Sequence, residues 1–132
     1  MTDELYWLTL TILLTAVLWV PYIINRLIEQ GFFTALWDPD GEQATKIGWA
    51  ERLMDAHTNA VENLVIFAPL IIIIQLLNMN NEQTAFAAAL YFFSRVAHAV
   101  LFTLRVPVLR IVAFFGSFIA QMILIFVLFN WI

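Results

Sequence analysis

Polar residues gather in short clusters along the chain, and long apolar stretches lie between them. A membrane-spanning helix needs roughly 20 mainly apolar residues, and the first stretch to meet that length is 5–28. Pro21 interrupts it, which a membrane helix tolerates where neighbouring groups satisfy the freed carbonyl. The segment "WDPDGEQ" (37–43) follows, and its Pro and Gly among acidic residues predict an exposed loop. A second helix is expected over 45–78, with only its later part strongly apolar. "NMNNEQT" (78–84) is a polar turn, 84–104 a third span, 105–107 a tight connection and 108–132 a fourth span. No internal repeat interrupts this order, and the links are short. The expectation is one domain over 1–132, an all-α integral membrane protein folded as an antiparallel four-helix transmembrane bundle.

Composition agrees with the bilayer as solvent. Apolar residues make up 63% of the 132 positions and charged ones 12%, against about 45–50% and about 25% in soluble domains. Asp3 and Glu4 stand where a cleavable signal would carry basic residues, so none is expected. The chain has no cysteine, hence no thiolate of its own. A net charge of −4 without a basic patch argues against nucleic acid. Arg26, Lys46, Arg52, Arg105 and Arg110 all lie where the first and second or the third and fourth spans meet. The termini and the 78–84 turn carry no Lys or Arg. Positive charge retained inside then predicts both termini outside the cytoplasm. Tyr6, Trp7 and Trp131 would mark one interface, Trp37 and Trp49 the other.

Several polar residues enter the spans, where they usually face a bundle interior or a wet cavity. On the second helix Arg52, Asp55, Asn59 and Glu62 follow i, i+3, i+7, i+10, one side of an α-helix. On the third, Arg95, His98 and Phe102 follow i, i+3, i+7. At a rise of ~1.5 Å per residue, Glu62 and Arg95 reach nearly the same depth, and a Glu62–Arg95 ion pair is expected. Ser117 and Gln121 are expected to bond between helices. Such polar groups also serve as plain association contacts between membrane helices. Here the cluster is richer, mostly basic and gathered at one end, which suits an anionic polar ligand. Two histidines without ligand spacing predict no metal site, and "DPDGE" lacks the alternating ligands of a calcium loop.

"RLMDAHTNAVE" (52–62), "FFSRVAHAVLF" (92–102) and "RVPVLRIVAF" (105–114) together resemble the MAPEG family, membrane-associated proteins in eicosanoid and glutathione metabolism. Length, span count and polar placement are similar over nearly the whole chain. The resemblance, to a bacterial-type member, implies a homotrimer in the bacterial inner membrane with a site between subunits, open to cytoplasm and lipid. It implies a glutathione-dependent transferase or peroxidase acting on lipophilic electrophiles, with glutathione as co-substrate. Asn59 and Glu62 match positions that hold the tripeptide backbone and its amino group. Arg95 and His98 match positions lining the same pocket, and Arg110 matches the arginine near the sulfur. Arg26 and Arg52 would meet the ligand carboxylates at the mouth, and Arg105 is a further candidate for binding the co-substrate. Phe102 stands where many members have a tyrosine, and Asp55, Thr58 and Ile111 also depart from the eicosanoid enzymes. These departures weigh against isomerase chemistry and leave a second reading, a non-catalytic lipid-binding or scaffold protein of the same fold.

Overall fold

Proline chemistry shapes the first span. The ring of Pro21 has no N–H to offer the carbonyl four residues back, and that carbonyl belongs to Val17, where helix α1 (Asp3–Val17) ends. After one turn residue, Leu18, the chain resumes as α2 (Trp19–Gln30), followed by the short α3 (Phe32–Leu36). Gly31 takes φ 85° between α2 and α3, a conformation that favours glycine. The computed structural model describes residues 1–38 and 45–132. The loop expected at "WDPDGEQ" therefore lies mostly outside the described residues. Helices α4 (Gly48–Leu76), α5 (Glu82–Thr103) and α6 (Pro107–Leu128) complete the fold. Pro69 sits inside α4 without ending it.

Four stretches, Asp3–Gln30 and the whole of α4, α5 and α6, are long and apolar enough to cross a membrane, as fits an integral multi-pass protein. Their ends differ from the sequence expectation by a few residues, and the backbone explains where three of them stop. After α4, Asn78 takes φ 55°, with Asn78 N–H donating to the Gln75 carbonyl and Met79 N–H to that of Ile74. This left-handed stop satisfies carbonyls that the helix end leaves free. Asn130 closes α6 in the same way at φ 56°, so the last helix ends at Leu128 and not at 132. Between α5 and α6 the residue in this position is Arg105, at φ 62°. An arginine there carries a strain of about 1 kcal/mol that glycine would not. Arg105→Gly is accordingly expected to raise the unfolding free energy by up to about 1 kcal/mol in detergent melts. A lowered melting point would show that the arginine side chain itself stabilises the turn.

The four spans pack antiparallel, with α5 against α6 the most extensive contact and α1 and α4 closing the other sides. At the end that holds the termini, Leu8, Phe67, Ile71, Ile74, Ala87, Ala88, Tyr91, Ala120 and Leu124 form the main core. Phe67 and Tyr91 stack there at 3.7 Å between ring centroids. Lipid tails are as apolar as these side chains, so close packing and hydrogen bonds hold membrane helices together. Gly116 shows this directly: a Cβ on it would lie 2.4 Å from Ser94 Oγ, so α6 approaches α5 where neither carries bulk. At the same end Glu4 is buried and accepts a hydrogen bond from the Thr84 hydroxyl, tying the start of α1 to the start of α5. Asn81 and Thr84 form a capping box that begins α5.

Candidate functional site

At the opposite end, where the basic residues gather, the second core of Leu18, Leu53, Ala60 and Ala99 is small and polar side chains take over. The seven-residue spacing of Arg52 and Asn59 puts both on the flank of α4 that faces α5. Arg95 comes to meet them from α5. Its Nη2 donates to Asn59 Oδ1 at 2.6 Å and lies 3.4 Å from His98 Nδ1. Asn59 is steadied in turn by Asn63, whose amide donates to the Asn59 carbonyl at 2.9 Å. Gln121 on α6 reaches across to the Asn63 carbonyl.

The electrostatics of this group are unusual. Arg95 is only 2% exposed, and its Nε and Nη1 are buried without a hydrogen-bond partner. No carboxylate pairs with it among the described residues. A guanidinium stays charged inside a protein, and burying a charge is costly unless it is paired. Neutral Asn59 offsets little of that. His98, 5% exposed, continues the cluster toward the basic end. Its ring lies 5.5 Å from that of Phe102, and the Arg110 guanidinium sits 5.0 Å over the same Phe102 ring. Asn59, Arg95, His98, Phe102 and Arg110 thus form one continuous set of contacts from three elements, α4, α5 and the first turn of α6.

The other expected residues lie elsewhere. Arg52 turns along the α4–α5 seam, and its Nε donates to the Thr103 carbonyl at 2.9 Å. Arg105 is exposed at the α5–α6 turn. Arg26 pairs with Asp38 at 2.6 Å, which joins α2 to the segment after α3.

The expected Glu62–Arg95 ion pair does not form within the chain. Arg95 takes Asn59 instead, and Glu62 is exposed on the outer side of α4. The expected match in depth did not fix the face: Glu62 lies about 60° round the helix from Asn59, away from α5. Gln121 does bond between helices, whereas Ser117 donates to the Ala113 carbonyl of its own helix. Three contacts had no warning in the pattern: Asn63 behind Asn59, the Tyr22–His57 hydrogen bond joining α2 to α4, and Glu4 beneath Thr84. Each pairs residues distant in sequence or lies one turn beyond a noticed motif.

Chemically, the cluster offers fixed donors and positive charge with no carboxylate paired to it among the described residues. A carboxylate oxygen would satisfy the free Arg95 nitrogens with charge-assisted bonds, and the Arg110 charge would favour any anion forming beside it. A search of curated proteins finds no match to the chain. The family description that does match covers residues 5–130 of the 132, all four spans and every residue of the cluster. The chain belongs to the MAPEG family, membrane proteins of glutathione and eicosanoid metabolism.

Proposed function

We propose that the protein is a glutathione-dependent transferase or peroxidase for lipophilic electrophiles. The observation that carries this reading is Arg95, a buried cation with two unpartnered nitrogens among neutral donors. Glutathione has two carboxylates to offer them and brings the thiol that this cysteine-free chain lacks. Asn59 holds Arg95 in place, His98 adds a ring nitrogen on the same wall, and Arg110 draws the sulfur toward its ionised form. Arg52 and Arg105, which lie outside the cluster, would have to turn toward it to meet a second carboxylate. Arg26 would have to leave Asp38 to join them. Calorimetric titration with glutathione tests the reading. Saturable binding to the unmutated protein is expected, and its absence would overturn the proposal.

We read the working unit as a homotrimer, with the site completed between subunits. Asp55, Thr58 and Glu62 are exposed on one side of a membrane helix, where charge facing lipid is costly. A second copy covering that side would bring Glu62 to the ligand's ammonium group. Glu62→Gln is then expected to weaken glutathione binding about 10-fold, the worth of one hydrogen bond to a charged group. Unchanged affinity would remove Glu62 from the site, and a monomer by light scattering would remove the trimer. The basic end is read as cytoplasmic and the membrane as a bacterial inner one. Alkaline phosphatase fused after Ile132 should then be active outside.

The second reading is non-catalytic lipid binding, favoured by one contact. Phe102 places a hydrocarbon ring under Arg110 and offers no hydroxyl to a ligand. Lipid without glutathione in native mass spectra would support it.

A further inference from the structure

α3 and the residue after it leave their large apolar side chains uncovered: Phe32 is 57% exposed, Phe33 82%, Leu36 64% and Trp37 87%. At about 100° per residue, Phe32, Leu36 and Phe33 share one side of the short helix, and Trp37 extends it. Thr34 and Ala35 take the other side. Among the described residues α3 packs against α2 and against no other helix.

Polar bonds pin this connection to one side of α2. Arg26 and Glu29, three residues apart, share that side. Arg26 holds Asp38, just past α3, at 2.6 Å. Glu29 accepts from the Thr45 hydroxyl and from the Lys46 N–H, both at 2.7 Å. Ile24 and Ile28, four residues apart and both exposed, form the apolar side of the same helix. Gly31, at φ 85°, ends α2 and lets α3 begin at the next residue. The exposed apolar surface of a span thus passes directly into that of α3.

Length says what meets this surface. The first span, Asp3–Gln30, has 28 residues, roughly 42 Å at ~1.5 Å each. A bilayer offers about 30 Å of hydrocarbon and about 40–45 Å with both headgroup layers. α3 therefore starts within the headgroup layer of the leaflet at the basic end, not in the water beyond it. Aromatic side chains favour that layer, and amphipathic helices lie in it with their apolar side inward. We propose that α3 is an interfacial anchor, with Phe32, Phe33, Leu36 and Trp37 set into that leaflet and Thr34 toward water. The occupant is lipid and not a second copy, because the surface continues the exposed apolar side of the span itself. The anchor fixes the height of the basic end in the bilayer, and it stands whether or not glutathione binds the polar cluster.

The test uses the absence of cysteine, which makes Phe33→Cys the sole thiol of the chain. Full-length protein with an environment-sensitive fluorophore on that thiol is reconstituted into dioleoyl phosphatidylcholine liposomes, with quenchers on both sides of the bilayer. Lipid spin-labelled at the headgroup end of its acyl chain is expected to quench the label about 3-fold more than lipid spin-labelled at the chain terminus. Soluble cobalt should quench it little. Thr34→Cys, next in the chain but on the other side of α3, should show cobalt as the stronger quencher. Leu36→Cys serves if the Phe33 variant does not fold. Equal, strong quenching of both positions by cobalt would overturn the proposal, because α3 would then stand in water. So would disulfide cross-linking between copies through Phe33→Cys with no quenching by spin-labelled lipid, which would make the occupant a second chain.

Discussion

Arg95→Met is expected to leave the bundle as stable as before or more so, while glutathione affinity falls about 100-fold. The two effects have opposite signs because they have different sources. In the empty protein Arg95 is a buried charge with one neutral acceptor at 2.6 Å and two free nitrogens. Breaking a buried pair by deleting one partner usually destabilises, but no carboxylate is left behind here. Replacing buried charge by apolar volume is often neutral or stabilising by about 1–4 kcal/mol. Methionine has similar length and adapts to irregular space. Asn59 would lose a donor, yet its carbonyl oxygens keep the Asn63 amide nearby. With ligand present, two charge-assisted bonds disappear, each worth about 1.5–3 kcal/mol, or at least 100-fold in affinity. Thermal melts and calorimetry on the same preparation read both signs. A variant that melts far lower yet binds glutathione normally would make Arg95 a structural residue.

The spans were legible in the sequence because lipid imposes a length and a polarity that few other environments demand. Basic residues at two of the three connections also marked which end would be polar. Finer placement was less legible, for a geometric reason. A stripe at i, i+3, i+7, i+10 spans about 80° of the helix circumference, and only part of it faces a given neighbour. Asn59 lies within that part and Glu62 beyond it, so the charge of Glu62 drew attention to the wrong residue. Direction around the axis was not available from one helix alone, and Arg95 bonds Asn59, one turn from Glu62. The turn at Arg105 was hidden for another reason. Left-handed stops are expected at Gly or Asn, as at Asn78 and Asn130, and arginine gives no such signal. Family membership was legible through the Asn59–Glu62 pair together with Arg95 and His98, and the fold brings three of these four, Asn59, Arg95 and His98, into contact.

Arg110→Ala is expected to lower turnover about 25-fold at pH 7 with a small electrophile, and to lose less as pH rises. Arg110 lies in the first turn of α6 and is held by the Phe102 ring at 5.0 Å, with no carboxylate beside it among the described residues. Its removal should disturb neither helix packing nor assembly. The rate argument rests on the thiol. An unperturbed thiol has a pKa of about 8.5, so about 3% is ionised at pH 7. A neighbouring opposite charge lowers such a value by about 1–3 units. At about 2 units, roughly three quarters is thiolate, and the ratio gives about 25-fold. The sign follows from the same arithmetic. Above about pH 9 the free thiol ionises without help, so variant and unmutated enzyme should converge. Arg110→Lys, which keeps the charge but not the planar fork, should recover part of the neutral-pH rate. A defect equal at every pH would mean that Arg110 positions the substrate without tuning the sulfur. Normal turnover throughout would take it out of the reaction altogether.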